Sequence, residues 1–322
     1  IEINTKAVPS ERILDFSFSS GYNSETSLSD GLLYDGGSDD DLGYDDGIRD
    51  FPSFVQRAIN SNQKLDRSNF KTYELANAGR EFVNSELWVI QEGDVPLDNS
   101  LSFTYGDELD IGIEDILDNE SATIGILLTA GIKSSWETQE GIRQTGDIQG
   151  QGDGTSIVIR GNDKTFKSTS NNVTTYLMGV AGIETDTAEL KYTGMFIHKG
   201  TKEARTLQGY DTSDSGNVRE DFTEFFEREL TNHQLNYNYI FQNDMELDVR
   251  LAGGDASRYA PYERVVFYED TDDRGYWQYD VNTGRNQTQF SYVDDSNENF
   301  GIDFTFPLQF GEQEVTIKTG FD

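Results

Sequence analysis

The chain has 322 residues, and its 59 acidic and 25 basic side chains give a formal net charge of −34 at pH 7. This charge argues against a nucleic-acid ligand, whose phosphates the surface would repel. The absence of cysteine excludes a disulfide framework, a thiol nucleophile and a zinc–thiolate site. A mean hydropathy of −0.63 and the lack of a long apolar run predict that no helix spans a membrane. The acidity fits a surface exposed to salt or divalent cations, and charge-driven solubility is the simpler explanation.

The first segments of the chain alternate between apolar and polar residues, which is the period of a half-buried strand. Residues 1–6 form one such segment, and residues 13–22 form a second with three aromatic side chains on one face. Alternation then fades over residues 23–97. Because a loop of this length is unusual inside a compact domain, we expect it to be functional or extracellular. Short helices are predicted within it at residues 55–59 and 73–87.

Regular strands resume after this loop and continue to the end of the chain. They are predicted at residues 99–111, 123–136, 174–183, 188–199, 222–241, 245–251, 299–310 and 315–321. Residues 173–199 form the clearest hairpin, because two alternating arms are joined only by the polar run 184–187. Each arm has the length of about ten residues that a tilted strand needs to cross a bilayer.

The connections between the predicted strands alternate between short and long. The short ones are residues 114–121, 184–187, 242–244 and 311–313. The long ones are residues 23–97, 137–170, 201–221 and 252–298. Short turns at one rim and long loops at the other are typical of outer-membrane barrels. We therefore predict an all-β fold, an antiparallel transmembrane β-barrel with short periplasmic turns and long extracellular loops. A soluble β-sandwich is the alternative, since its half-buried strands alternate in the same way.

Four stretches resemble the TonB-dependent outer-membrane receptors. Residues 1–9, IEINTKAVP, resemble the end of the plug domain, and residues 34–52, YDGGSDDDLGYDDGIRDFP, resemble the first long loop of a large proteobacterial branch. Residues 225–241 and 251–269 are also similar to that family. The resemblance implies that residues 1–9 end a plug domain and that residues 10–322 are the N-terminal part of a barrel of about 22 strands. The chain would then hold a partial barrel and belong to a longer protein.

The resemblance also implies a function, a location and partners. The function would be TonB-dependent uptake of a scarce siderophore, oligosaccharide or peptide across the cell outer membrane, without enzymatic activity. The partners would be outer-membrane lipid and lipopolysaccharide, the TonB complex acting through a plug domain, the extracellular ligand and a surface lipoprotein. Two other classes stay open: an acidic all-β adhesin or carbohydrate- or calcium-binding module, and a secreted hydrolase with two carboxylates converging in a cleft.

The Asp-rich stretch supplies candidate metal ligands. Carboxylate oxygens and sharp glycine turns suit Ca²⁺, although the spacing does not match an EF-hand loop. The candidate ligands are Asp39, Asp41, Asp45 and Asp46. A solvated acidic loop held by side-chain turns is the competing interpretation. Ca²⁺ is therefore the one cofactor that the sequence suggests.

Aromatic residues crowd the last predicted loop, where their faces could stack on a sugar or hold a siderophore or peptide. The candidate ligand contacts are Tyr259, Tyr262, Tyr268, Tyr276, Trp277 and Tyr279. Packing between loops would explain the same residues. The two histidines, His198 and His233, lie on predicted strands, where packing or a position at the membrane rim is expected rather than metal ligation. The sequence contains no nucleophile-elbow, P-loop or zincin motif.

Overall fold

A computed structural model describes residue 9 and residues 11–82, 84–112, 121–150, 156–214, 216–270, 275–281, 284–310 and 313–322. Within these ranges the fold is mostly antiparallel β-sheet, which confirms the predicted all-β class. The described part of the chain has no helix that is long and apolar enough to cross a membrane. The strand predicted at residues 1–6 lies outside the described residues.

Twelve strands are described, and most of them belong to one sheet. Their bounds are β1 Ile13–Gly21, β2 Asp30–Leu33, β3 Gln91–Asp94, β4 Asp98–Gly112, β5 Ser121–Gly150, β6 Ser156–Glu184, β7 Ala188–Asp211, β8 Gly216–Ile240, β9 Glu246–Asp270, β10 Gln278–Tyr279, β11 Gln287–Phe310 and β12 Gln313–Phe321. The large sheet has the order β1-β4-β5-β6-β7-β8-β9-β11-β12, with β10 on β9, and every neighbouring pair is antiparallel. Its described strands form an open sheet, with β1 and β12 at the edges.

The two hairpins with the shortest described turns were predicted correctly. Strands β6 and β7 pair from Glu184 and Glu189 outward, so residues 185–187 form the turn. Strands β8 and β9 join in the same way, where the backbone N–H of Phe241 donates to the carbonyl of Met245. The short connections predicted at residues 114–121 and 311–313 fall largely outside the described residues.

Three of the four predicted long loops are wrong, because most of their residues continue the strands. Strands β5 and β6 take up most of residues 137–170, β7 and β8 take up most of 201–221, and β9 and β11 take up most of 252–298. Polar residues interrupt the apolar ones on both faces of these extensions, so the regular alternation of hydrophobicity disappears while the backbone pairing continues. The alternation of hydrophobicity shows where one face of a strand is apolar, but it does not show where the paired strand ends.

Among the residues that the structure describes, the connection between β1 and β4 is the long segment that lies outside the large sheet, and we call residues 22–97 the docked segment. It contains the two-stranded sheet β2–β3, helices α1 Ser53–Asn60 and α2 Thr72–Glu81, and 3-10 turns at Asp40–Leu42 and Ser85–Leu87. The helix predicted at residues 55–59 is confirmed as part of α1, and the one predicted at residues 73–87 is confirmed as far as Glu81, with a separate 3-10 turn at Ser85–Leu87. Leu32 and Tyr34 of this segment are buried against Ala204 of β7.

One face of the sheet carries a continuous band of exposed apolar side chains, which we call the belt face. Register shows the continuity, because Phe16 lies opposite Phe103, Phe103 opposite Ala130, Ala130 opposite Leu177, and Leu177 opposite Phe196. Other members that are more than a third exposed are Leu14, Phe18, Leu101, Ile126, Leu128, Leu190, Leu235, Leu251, Phe300, Val315, Ile317 and Phe321.

The opposite face, which we call the polar face, carries charged and hydrogen-bonding side chains at the same level of the strands. Lys191 lies opposite Asn236, and Asn236 lies opposite Arg250. Lys191 and Thr193 are almost fully buried there. A half-buried sheet of a soluble protein hides its apolar face and exposes its polar one. This sheet does the reverse.

Candidate ligand-binding site

Beyond the belt, the strands continue as long extensions that carry two separate arrangements. On the side of the belt face, the extensions of β5 to β9 hold the docked segment. The backbone N–H of Thr138 donates to the hydroxyl of Thr26, and the backbone N–H of Leu32 donates to the hydroxyl of Thr169, which is itself hydrogen-bonded to that of Thr138. On the side of the polar face, the extensions of β5, β6 and β7 line an open cleft. The cleft on the polar face is thus separate from the hydrogen bonds that hold the segment, whereas another open cavity, of about 670 Å³, lies between the segment and the sheet.

Arg49 is the centre of the contact between the docked segment and the sheet. It is 1% exposed, and its guanidinium donates to both carboxylate oxygens of Asp40, at 2.7 and 2.6 Å, and to Asp45 at 2.9 Å. Its Cζ lies 4.2 Å from the ring centroid of Phe225 of β8. Lys202 of β7 adds a second cation, 2.9 Å from Asp40. Buried charges are tolerated only when they are paired in this way.

Close backbone packing completes this contact at Gly43 and Gly200. Gly43 has a φ of 83°, and a Cβ added at Gly200 would overlap the Gly43 carbonyl oxygen. Beside them His198 is 1% exposed, stacks on Tyr44 with ring centroids 3.7 Å apart, and has its Nε2 2.8 Å from the Gly43 carbonyl. The packing role predicted for this histidine is confirmed. His233 lies on the belt face, with its Nδ1 2.7 Å from the hydroxyl of Tyr192.

The cleft on the polar face has a volume of about 620 Å³, within the range of about 300–1,000 Å³ that is common for ligand pockets. Its lining includes Glu137, Gln139, Arg143, Phe166, Ser168, Ser170, Asn172, Thr201, Glu203, Arg205 and Leu207. Successive members on β6 are two residues apart, because alternate residues of a strand point to the same face. The cleft is thus a product of strand register rather than of loop conformation.

An aromatic ring lies flat at one end of the cleft. Phe166 of β6 is opposite Gly141 of β5 in the ladder, and a Cβ at Gly141 would lie 2.5 Å from the Cε1 of Phe166. Glycine at this position therefore makes room for the ring to lie across the neighbouring strand. On the other side Leu207 of β7 is opposite the same ring. Phe166 is half-buried, so part of the ring remains open to the cleft.

A group of carboxylates borders the cleft on β7, β8 and β9. Glu203 and Glu224 are directly opposite each other in the ladder, so their carboxyl groups lie close together on the polar face. Burial, together with the charges of Glu203 and Glu263, raises the pKa of Glu224 to about 7. Arg205 contacts Glu203 at 3.9 Å and lies 4.4 Å from the ring of Phe222. Two carboxyl groups in mutual contact do not have the separation of about 5–9.5 Å that glycoside hydrolases use.

The structure does not bring the six predicted aromatic ligand contacts together. Tyr268 and Tyr279 pair edge to face at 6.3 Å, with the exposed Tyr276 and the half-buried Trp277 close to them in the chain. Tyr262 is buried instead, and its hydroxyl donates to the carbonyl of Phe82.

Tyr259 of β9 lies close to Asp45 and Asp50 of the docked segment. Burial and the nearby carboxylates of Asp50 and Asp45 raise its pKa to about 12. Tyr259 and Tyr262 therefore belong to the packing of the docked segment.

The four predicted calcium ligands also have different contacts from one another. Asp45 is held by Arg49, and Asp46 accepts hydrogen bonds from the backbone N–H groups of Ser38 and Ile48. Those hydrogen bonds lower the pKa of Asp46. Asp39 and Asp41 are exposed. Among the described residues no three acidic or histidine side chains are arranged to hold a metal ion. The side-chain turns of the competing interpretation are present, as in the bond from Ile48 to Asp46.

Sequence reasoning missed every residue of the cleft, because the extensions were interpreted as loops. A weak signal was available in residues 166–172, where Phe166, Ser168, Ser170 and Asn172 alternate with a second set of polar residues. Both sets are polar apart from the phenylalanine, so a search for apolar alternation cannot find them.

No protein-family model matches the sequence, and no curated protein does.

Proposed function

We propose that this chain spans an outer membrane as part of the β-barrel of a TonB-dependent receptor that takes up a scarce extracellular ligand. The belt face is the observation that carries the proposal. Phe16 and Leu14 are 70% exposed on it, and each such side chain would gain about 1.5–3 kcal/mol from burial in an apolar phase. A belt of exposed apolar side chains that crosses nine neighbouring strands is larger than the apolar patches on the surfaces of soluble monomers. The hydrocarbon of a lipid bilayer would cover such a belt.

The length of the belt along each strand supports the same proposal. Residues 124–132 of β5 and residues 300–308 of β11 each carry five apolar side chains on the belt face over nine residues. A strand tilted by about 45° needs about 9–11 residues to cross the hydrocarbon of a bilayer. Beyond these stretches both faces become polar, as expected where strands leave the lipid.

A bilayer does not tolerate strand edges with unpaired backbone groups. In the proposed protein the edge strands β1 and β12 are therefore paired by further strands of a closed barrel. The polar face then faces the barrel interior, and the extensions with the cleft and the docked segment project from one rim. TonB dependence and uptake rest on the resemblance of residues 34–52, 225–241 and 251–269 to that family of receptors.

Extraction of native membranes with alkaline carbonate tests the membrane proposal. We expect the native protein to stay in the outer-membrane pellet and to need detergent for release. Release into the supernatant without detergent would overturn the barrel and favour the acidic adhesin or binding module.

Uptake by intact cells tests the receptor proposal separately. Cells with and without the protein would be offered ferric siderophores, oligosaccharides and peptides, with and without an uncoupler of the proton gradient. We expect uptake of one class that needs both the protein and the gradient. Uptake that is insensitive to the uncoupler would contradict a TonB-dependent mechanism, even for a protein that stays in the membrane.

A further inference from the structure

The lining of the cleft on the polar face is electrically balanced, although the whole chain has a net charge of −34. Its charged members are two acids, Glu137 and Glu203, and two bases, Arg143 and Arg205. The remaining polar members are serines, a threonine and carboxamides, which both donate and accept hydrogen bonds. A ligand with a large negative charge therefore has no excess of positive charge to meet in this lining.

The polar groups of the cleft also argue against an apolar ligand. The Nε of Arg205 is shielded from solvent and has no hydrogen-bond partner among the described residues. Covering the cleft with an apolar molecule would also take water away from the exposed part of the Arg205 guanidinium and from the hydroxyl groups near it, at a cost of about 1–3 kcal/mol for each group left without a partner. The ligand that removes this cost carries both donors and acceptors.

The ring of Phe166 adds a flat apolar surface to this polar cleft. The ring lies across Gly141, and its neighbours Ser168 on the same strand and Leu207 on the next one leave it accessible from the cleft. An aromatic face of this kind packs against the C–H groups of a ligand, while side chains around the ring bind its polar groups. The ligand should therefore have hydroxyl groups at its edge and C–H groups on its face.

We propose that the cleft binds a neutral, polyhydroxylated ligand of the oligosaccharide class, with Phe166 as the stacking surface and Arg205, Glu203 and Asn172 as hydrogen-bond partners. Arginine and carboxylate side chains each engage two adjacent hydroxyl groups at once. Arg205 lies 3.9 Å from Glu203, and Thr201 donates to the Oδ1 of Asn172 at 3.0 Å, so these partners have neighbours that orient them before the ligand arrives. The proposal rests on the proposed receptor function, since it names the class of ligand that the receptor takes up.

Binding to the intact protein in detergent provides the test. The probes are an array of neutral glycans, with malto-, cello- and xylo-oligosaccharides for calorimetry, and oligogalacturonate as the anionic comparison. We expect a neutral glycan to bind and oligogalacturonate to bind at least about tenfold more weakly. Preference for the anionic glycan, or no binding of any neutral glycan on the array, would overturn the proposal.

Substitutions on β6 connect binding to this cleft. Phe166→Ala should weaken binding by about tenfold or more, whereas Phe166→Tyr should retain it. Lys167→Ala is the matched control, because Lys167 is the next residue of the strand, points to the other face and pairs with Glu140 at 3.0 Å. Equal affinity of Phe166→Ala and Lys167→Ala for the glycan would place the binding site elsewhere.

Failure of this inference and failure of the proposed function give different results. A protein that resists carbonate extraction and shows gradient-dependent uptake of a siderophore or peptide, but binds no neutral glycan, would keep its receptor function and lose the inferred ligand class. A protein that binds a neutral glycan through Phe166 but is released by carbonate would keep the site and lose the membrane proposal.

Discussion

Arg49 of the docked segment and Asp40, nine residues before it, form a bidentate ion pair in which both side chains are at most 3% exposed. This ion pair is not confined to the docked segment, because Lys202 of the sheet contacts Asp40 and Phe225 of the sheet contacts Arg49. It fixes the conformation of residues 40–49 and the position of this stretch on β7 and β8. Part of the acidic stretch thus has a structural role, because its carboxylates are paired with basic side chains of the protein.

Replacing Arg49 by Met should release the docked segment from the sheet. The substitution keeps most of the side-chain volume but leaves Asp40 and Asp45 without their shared cation, and breaking a buried pair in this way costs about 3–5 kcal/mol. Hydrogen exchange of the backbone amides in residues 30–50 would measure the release. Asp41→Asn is the control, since Asp41 is exposed and its loss should change exchange by no more than about 0.5 kcal/mol. Equal exchange in R49M and the unmodified protein would contradict the assigned role.

Gly200→Val should displace the same segment through sterics alone. Any Cβ at this position would overlap the carbonyl oxygen and Cα of Gly43, and neither backbone group can move without shifting the 3-10 turn before it. We expect faster proteolysis within residues 40–60 while the β7 ladder remains intact. Gly179→Val is the comparison on the neighbouring strand, because a Cβ there would meet only the Cδ1 of Leu128, at 4.0 Å. If both variants were cleaved at the unmodified rate, the close approach of Gly43 and Gly200 would be unimportant for docking.

The strands could be predicted from sequence wherever one face is apolar. Leu190, Tyr192 and Phe196 alternate with polar residues, so the pattern placed them on one face of β7, and the structure has them there. The same reasoning failed from about residue 200 onward, where Lys202, Glu203 and Arg205 are polar on both sides of an equally regular ladder. Hydrophobic alternation reports the contrast between two environments, and backbone hydrogen bonds persist without that contrast.

The candidate site was less predictable than the fold, since it depends on contacts between residues far apart in the chain. The ring of Phe166 can lie across β5 because residue 141 of that strand is glycine. Arg49 and Phe225 are more than a hundred residues apart in the sequence, and no local pattern predicts that they are in contact. Composition pointed to the aromatic residues near the end of the chain, yet Tyr262 is used to bury the end of α2.

A charge placed on the belt face should prevent stable membrane insertion. Leu177→Arg puts a guanidinium among the exposed apolar side chains of β6, which costs about 2–4 kcal/mol near the middle of a bilayer. Met178→Arg is the matched control, because Met178 is the next residue and points to the polar face, where it lies opposite Thr129 and Met195. The carbonate-resistant fraction of each variant gives the result. A larger loss for M178R than for L177R would mean that the polar face, and not the belt face, meets the lipid.

The stability of the protein should fall as the pH rises through neutrality, because of Glu224. Its pKa is raised from 4.5 to about 7 in the folded state by burial and by Glu203 and Glu263, so the folded protein binds a proton that the unfolded chain has released. The resulting stabilisation is fully present below pH 4.5 and is lost as the pH rises through about 7. Partial solvent contact of the side chain limits the effect to roughly 2 kcal/mol.

Melting temperatures in detergent at pH 5 and pH 8 would measure this pH dependence. Glu224→Gln should remove this part of the pH dependence and raise the melting temperature at pH 8, whereas Glu108→Gln, at an exposed position of β4, should leave both unchanged. An E224Q variant with the pH dependence of the unmodified protein would show that Glu224 is ionised throughout this range and that the contact with Glu203 forms without a shared proton.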